Sequence, residues 1–191
     1  GSVDVYKRQQ LASAKILGVK DVRFLPFEDG GMYDEVALRI EIAKVIAEIK
    51  PDVVIGPDHK LYPESHPDHL RVGEAVSKAY FMCSNVNMMK SVGATQIAKP
   101  TVLAYYFTGK PNRFVKITKK DFEKTKAAYA CFVSQCPPPD NGKSLMLYMH
   151  LKVRLNGLRS FHIRADAFRV MNNMHIHCCG EAEDTAIRRP L

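Results

Sequence analysis

Two neighbouring segments predict the fold of this chain most clearly: Asp52-Val53-Val54-Ile55-Gly56-Pro57 and Ser65-His66-Pro67-Asp68-His69. Val53 to Ile55 form an apolar, β-branched run bounded by proline and glycine, which predicts a short buried strand. Ser65 is of the type that caps helices, and Pro67 would stand in the first turn, where no intrahelical N–H is required. The two segments therefore predict a strand, a loop and a helix.

Two histidines and a carboxylate stand where this predicted helix begins. His66 and His69 are three residues apart, so their side chains would share one face of the helix. Open α/β sheets bind ligands just beyond the carboxyl ends of their strands, which is where the segment falls. With Asp68 between them, the histidines suggest a metal-assisted hydrolytic site, because a catalytic zinc takes three protein ligands and one water. The same short pattern is also typical of a structural helix start.

The first half of the chain alternates between helical and extended patterns. The segments are a helix closed by Gly18, a strand over 21–25, a helix from Asp34 to Ile49, the strand at 53–55 and the helix from 70 to 81. Such alternation predicts an α/β fold, a Rossmann-like parallel sheet with crossover helices.

The second half predicts a smaller α+β part. After a polar connection over 85–99, strands are predicted at 101–107 and 113–117, helices at 118–135 and 143–158, and a strand or loop at 161–170. Thr118 and Asp121 have the spacing of a capping box at the start of the first of these helices.

Composition limits the classes of protein to consider. The chain has 191 residues, enough for one domain with a real core, and no apolar run approaches the roughly 18 residues of a membrane span. Its five cysteines are odd in number and form no CxxC pair, which predicts a reducing, cytoplasmic compartment. The net charge of +8 is diffuse, which is typical of a solvated surface and argues against a nucleic-acid partner.

The first nine residues are predicted to be non-native. Asp4-Val5-Tyr6-Lys7-Arg8-Gln9 resembles the translation of a transposon-end adapter used in sequencing libraries. We therefore expect residues 1–9 to be a leader without biological meaning and 10–191 to form the domain, with the gene cut off upstream of it.

Several segments occur together in an order found in one enzyme family. These are Leu17-Gly18-Val19, Phe24-Leu25-Pro26-Phe27-Glu28-Asp29-Gly30, the strand segment 51–57, His66-Pro67-Asp68-His69 and, later, Ala165-Asp166-Ala167-Phe168. The chain from about Gln10 resembles the LmbE-like (PIG-L) N-deacetylases. The resemblance implies a Rossmann-like α/β fold and zinc-dependent removal of acetyl groups from N-acetylglucosamine units.

The resemblance also implies roles for individual residues. His69 matches the family's zinc-ligand histidine, and His66 the histidine that assists the oxyanion and the leaving group. Asp68 matches the carboxylate that orients His66, and Asp29 lies in a loop similar to a sugar-contacting loop. His177 resembles the late histidine that approaches the substrate in the diacetylchitobiose deacetylase branch.

One family motif has no match in this sequence. The Ala-His-Pro-Asp-Asp-Glu segment of the family carries two of the three zinc ligands and the general-base aspartate. We expect the chain to lack the first strand and catalytic loop, so that its Zn²⁺ site is incomplete and the fragment inactive. His59, His175 and His177 are alternative ligands by residue type, and Cys178-Cys179 is a further one, although a vicinal pair suits one tetrahedral site poorly.

The sequence thus predicts a metal-dependent N-deacetylase in its full-length form. Its substrate would be an amino sugar or a sugar conjugate, and a homo-oligomer is compatible with the resemblance. A non-catalytic α/β domain that binds a sugar in the same crevice without metal is the alternative. A basic nucleic-acid-binding protein is a third hypothesis, which would show steep salt dependence and no zinc.

Overall fold

The computed structural model of the protein describes residues 2–172 and residue 176. This part of the chain contains six α-helices and four β-strands. In chain order they are α1 (Ser2–Leu17), α2 (Glu35–Ile49), β1 (Val53–Pro57), α3 (Pro67–Met82), α4 (Val86–Ser91), β2 (Val102–Tyr106), β3 (Arg113–Lys116), α5 (Lys119–Tyr129), α6 (Lys143–Arg159) and β4 (Ala165–Met171).

The strands are arranged in the order β1-β2-β4-β3. β1 and β2 run parallel, from Val53 opposite Val102 to Pro57 opposite Tyr106, and the chain crosses between them through α3 and α4. β4 runs antiparallel to β2. The predicted α/β class is confirmed, and the predicted parallel pairing with a helical crossover is found between β1 and β2.

The chain divides into two compact units. Gly1–Phe24 and Phe114–Asp166 form the smaller one, in which α1 packs against α5. Leu25–Arg113 and Ala167–Leu191 form the larger one, in which α2 and α3 pack together and α3 covers β1. The larger unit holds the main apolar core, whose most deeply buried members include Ala43, Ala79, Cys83, Leu103 and Tyr105. The leader over 1–9 and the single domain over 10–191 stay predictions.

Local capping chemistry fixes several helix starts. The Asp34 side chain accepts a hydrogen bond from the Ala37 N–H at 2.8 Å, as an N-cap does. Thr118 and Asp121 form the predicted capping box at the start of α5. At α3 the N-cap is His66, in extended conformation and without a side-chain capping bond, so the prediction of Ser65 was one residue early.

Three segments differ from the sequence prediction: residues 21–25, residues 85–99 and the helix predicted over 118–135, of which α5 ends at Tyr129. Residues 21–25 are not a strand, although polar and apolar side chains alternate there, because a strand also requires a hydrogen-bonded neighbour. The side chains of Arg23 and Asp21 instead pair with each other at 2.8 Å on the surface. The predicted connection over 85–99 contains α4, which the Asn85 side chain caps by accepting from the N–H groups of Asn87 and Met88.

Candidate active site

His66 and His69 lie together at the start of α3, in the larger unit. Pro67 occupies the first turn, and the two imidazole rings stack with centroids 4.6 Å apart and planes inclined by 25°. Both side chains are about half exposed, 50% for His66 and 45% for His69, so a ligand from solvent can reach either ring. The Phe107 ring, just after β2, lies 6.2 Å from the His69 ring and forms an apolar wall.

Glu64 holds His69 in place, a contact that the sequence did not predict. Its Oε2 lies 2.8 Å from His69 Nδ1, and its Oε1 accepts the N–H groups of Ser65 and His66, each at 2.8 Å. The pKa of Glu64 is lowered to about 2, mainly by the hydrogen bond with His69 and next by the hydrogen bond from the His66 N–H. Because an ionised carboxylate only accepts, the neutral ring carries its proton on Nδ1 and leaves the Nε2 lone pair available.

Asp68 makes its contacts with a glycine-containing loop. Its Oδ2 is 3.8 Å from His66 Nδ1, longer than a hydrogen bond, but accepts the Gly30 N–H at 2.7 Å. Burial opposes ionisation of Asp68, but the Gly30 N–H, the neighbouring Asp29 and Tyr33 side chains and the Gly31 N–H outweigh it and lower its pKa. The role of Asp68 in orienting His66 stays a prediction, while its contacts show that it anchors the loop.

The loop needs glycine where it meets α3. Gly31 has a φ of +74°, and a Cβ there would come within 2.8 Å of the Pro67 Cβ. Arg71 donates to the Gly31 carbonyl, and burial together with the Asp68 carboxylate raises the pKa of Tyr33 to about 12. Asp29, the predicted substrate-binding residue, is exposed at this loop beside Asp68.

The loop contact gives a stability prediction. Asp68→Ala should lower the free energy of unfolding by about 1.5–3 kcal/mol, the usual range for a hydrogen bond to a charged group. Urea denaturation at neutral pH measures the change. Asp52→Ala, at an exposed aspartate, is the matched control and should change it by less than about 0.5 kcal/mol. Equal losses in the two variants would show that Asp68 does not anchor the loop.

Of the other candidate ligands, only His59 lies among the described residues, and it has different neighbours. The His59 ring packs edge-on against the Tyr105 ring, with centroids 5.5 Å apart, and the residue lies next to Gly73. Burial, with the nearby charge of Arg169, lowers the pKa of His59. His175, His177 and Cys178-Cys179 lie outside the described residues.

The donor groups in the described part of the chain do not complete a zinc site. His69 Nε2 is a suitable single ligand, since the opposite nitrogen is held by a carboxylate as in many metal centres. However, within residues 2–172 and 176 no three histidine, cysteine, aspartate or glutamate side chains are grouped so that they could bind one metal ion. A catalytic zinc takes three protein ligands. The described residues alone therefore do not fit a catalytic zinc.

The chain is similar in sequence to several known deacetylases. The profile of the GlcNAc-PI de-N-acetylase (PIG-L) family matches residues 2–80, which include the histidine pair and its loop. A diacetylchitobiose deacetylase of Thermococcus kodakarensis is 31% identical over 175 residues, which is 90% of this chain and 64% of the relative. A probable N-acetyl-alpha-D-glucosaminyl L-malate deacetylase of Bacillus anthracis is 34% identical over 79 residues, 39% of this chain and 33% of that protein.

A solved structure agrees with the sequence comparison. The N,N'-diacetylchitobiose deacetylase of Pyrococcus horikoshii, in complex with an inhibitor, superposes with a TM-score of 0.81 at 26% identity. The match covers 92% of this chain and 66% of that one. The chain thus spans slightly less than two thirds of the length of the two diacetylchitobiose deacetylases that it matches.

Proposed function

The chain is related in sequence and fold to the LmbE-like (PIG-L) deacetylases, and from this premise we propose that the complete protein removes the N-acetyl group of an N-acetylglucosamine-type sugar or conjugate. The observation that carries the proposal is the stacked pair of His66 and His69, with Glu64 on the second ring, inside the segment that the family profile matches. Its position just beyond the carboxyl end of β1 is where such sheets bind ligands.

We propose a separate role for each side chain of the histidine pair and its surroundings. His66 donates a hydrogen bond to the oxyanion that forms at the acetyl carbon and then protonates the leaving amine. Asp68 positions the loop of Asp29, whose carboxylate contacts the sugar hydroxyl groups. The Phe107 ring covers an apolar face of the sugar, and His177 is proposed as a further substrate contact.

Zinc belongs to the proposal with His69 Nε2 as one ligand. Because the described residues supply no complete site, no catalytic step is assigned to the metal. For the same reason we expect residues 1–191 alone to release no acetate. The incomplete donor set also favours a second candidate function, a sugar-binding domain that uses the same crevice without catalysis.

Replacement of His69 tests the function. In the complete protein, His69→Ala should abolish acetate release from N-acetylglucosamine oligosaccharides and lower the zinc content measured by elemental analysis. His162→Ala, at an exposed histidine, is the control and should leave both unchanged. If the complete wild-type protein binds the sugar but releases no acetate, the binding domain is the correct function and the deacetylase is not.

Glu64 gives a finer prediction about the same ring. Glu64→Gln keeps the side-chain shape but removes the charge that holds the His69 Nδ1 proton, so zinc affinity should fall about 10–100-fold. Competition with a chromogenic chelator measures the affinity. Glu28→Gln, at an exposed glutamate in the preceding loop, should have no effect. An unchanged affinity in Glu64→Gln would exclude the positioning role.

Partners and compartment follow from the same proposal. The amino-sugar substrate is the proposed partner, and no nucleic-acid partner is proposed. A homo-oligomer is compatible with the deacetylase function. Cys83, Cys131 and Cys136 are free thiols, which supports the proposal of a reducing, cytoplasmic compartment. In the described part of the chain, the helices are too short or too polar to span a bilayer.

A further inference from the structure

A second polar feature of the larger unit is a cavity of about 120 Å³. It is lined by Asp58, Lys60, Gly109, Lys110 and Arg169. Asp58 follows β1 directly, and Gly109 and Lys110 lie in the loop that follows β2. The cavity is thus at the carboxyl ends of the parallel strand pair, the edge at which α/β sheets bind ligands.

The floor of this cavity is a buried ion pair. Arg169 donates from Nε to Asp58 Oδ2 at 2.9 Å and from Nη2 to Oδ1 at 2.5 Å. The exposed fractions of the two residues are 2% and 4%. The guanidinium also lies over the Tyr105 ring, 4.4 Å from its centroid, which fixes its plane. The charge of the carboxylate is therefore compensated by a rigidly held partner.

The same carboxylate fixes the backbone of both lysines. Asp58 Oδ1 accepts the Lys60 N–H at 3.0 Å, and the Thr108 side chain is a further hydrogen-bond partner of Asp58. Thr108 Oγ1 in turn accepts the Lys110 N–H at 3.1 Å. Two exposed lysines are in this way attached to one buried group at the edge of one cavity.

The charges around the cavity favour an anion. Lys60, Lys110 and Arg169 contribute three positive charges and Asp58 one negative charge, which leaves the lining with a net charge of +2. Ammonium groups bind phosphate and carboxylate oxygens well, and the low dielectric of a partly enclosed site strengthens the attraction. The cavity volume of about 120 Å³ has room for one small oxyanion.

We infer that this cavity binds a small oxyanion, a carboxylate or a phosphate group, through the ammonium groups of Lys60 and Lys110 above the Asp58–Arg169 pair. Asp58 faces the anion too, and it is tolerated there because Arg169 neutralises it. The loop that carries Lys110 begins at Phe107, whose ring lies 6.2 Å from the His69 ring. The oxyanion is thus either free phosphate or part of a sugar conjugate whose acetyl group lies at the histidines, and the second source rests on the proposed function.

Titration with inorganic phosphate tests the site without any enzymatic readout. Calorimetry on the protein should show saturable binding of one phosphate, weakened at least tenfold in Lys60→Gln/Lys110→Gln. Lys90→Gln/Lys99→Gln removes the same two charges from exposed positions that do not line the cavity and should bind phosphate like the wild type. Absence of saturable binding, or an equal loss in both double variants, would overturn the inference.

A second arm, on the complete protein, identifies the source of the oxyanion. It compares the KM for a neutral N-acetylglucosamine glycoside with that for a glycoside bearing a carboxylate. If the anion belongs to the substrate, Lys60→Gln/Lys110→Gln raises KM at least tenfold for the charged glycoside alone, with kcat retained. If phosphate binds but neither KM changes, the ligand is free phosphate. Phosphate binding is measured separately, so calorimetry decides whether the anion site exists even if the deacetylase assay fails.

Discussion

Asp58→Ala is expected to lower the free energy of unfolding by about 3–5 kcal/mol, the usual cost of removing one partner of a buried ion pair. The substitution leaves the Arg169 guanidinium charged and 2% exposed, without the carboxylate that accepts two of its hydrogen bonds. The Lys60 N–H also loses its acceptor. Urea denaturation at neutral pH, followed by circular dichroism, measures the loss.

Two variants control this measurement. Asp58→Ala/Arg169→Met removes both charges and should recover a large part of the loss, because an apolar replacement of a whole buried pair is often tolerated. Asp21→Ala removes the exposed pair with Arg23 and should cost less than about 1 kcal/mol. A loss below about 1 kcal/mol in Asp58→Ala, or no recovery in the double variant, would contradict the explanation that the loss comes from the unpaired charge of Arg169.

The Asp58–Arg169 ion pair also predicts that the stability of the folded protein depends on pH in the acidic range. Burial opposes ionisation of Asp58, but the hydrogen bonds from Arg169, Thr108 and Lys60 outweigh it and lower the pKa below the ordinary 3.8. The unfolded chain therefore binds a proton before the folded one does. The contribution of Asp58 is complete above about pH 4 and is lost as the pH falls through its folded-state pKa. The wild type should lose more stability than the double variant on acidification across this range.

His66→Ala is expected to lower the rate of acetate release by about 10²–10⁴-fold in the complete protein, the usual contribution of a general acid or base. The ring is half exposed, 3.8 Å from Asp68 and stacked on His69, so it can reach a substrate placed at the second histidine. Because the proposed role is in proton transfer, kcat should fall while zinc content and substrate binding are retained.

The split between kcat and substrate binding separates this role from a structural one. Loss of the His66 proton donor should lower kcat with substrate affinity unchanged, whereas a loosened loop would weaken both. His162→Ala, at an exposed histidine, is again the control. A rate within about threefold of the wild type would exclude His66 from the chemistry.

Local signals in the sequence determined most of the elements. The Asp34 cap, the Thr118–Asp121 capping box, the proline at the start of α3 and the β-branched run of β1 all act within a few residues. The spacing of His66 and His69 also predicted that the two rings lie side by side, although the contact joins the N-cap and the third helical residue rather than two residues of one helix face. The alternation over 21–25 misled the prediction because a face pattern does not reveal whether a neighbouring strand exists.

Only the tertiary structure decided what each polar side chain contacts. Asp68 reaches back 38 residues to the Gly30 N–H, and Asp58 meets Arg169 across 111 residues, separations at which no helical or strand period applies. Glu64 lies near His69 in sequence, but only the loop conformation turns its carboxylate onto Nδ1. The sequence alone established the α/β class and the histidine pair, since these follow from short-range backbone preferences. The ion pair, the anchored loop and the cavity depend on which strands and loops pack together.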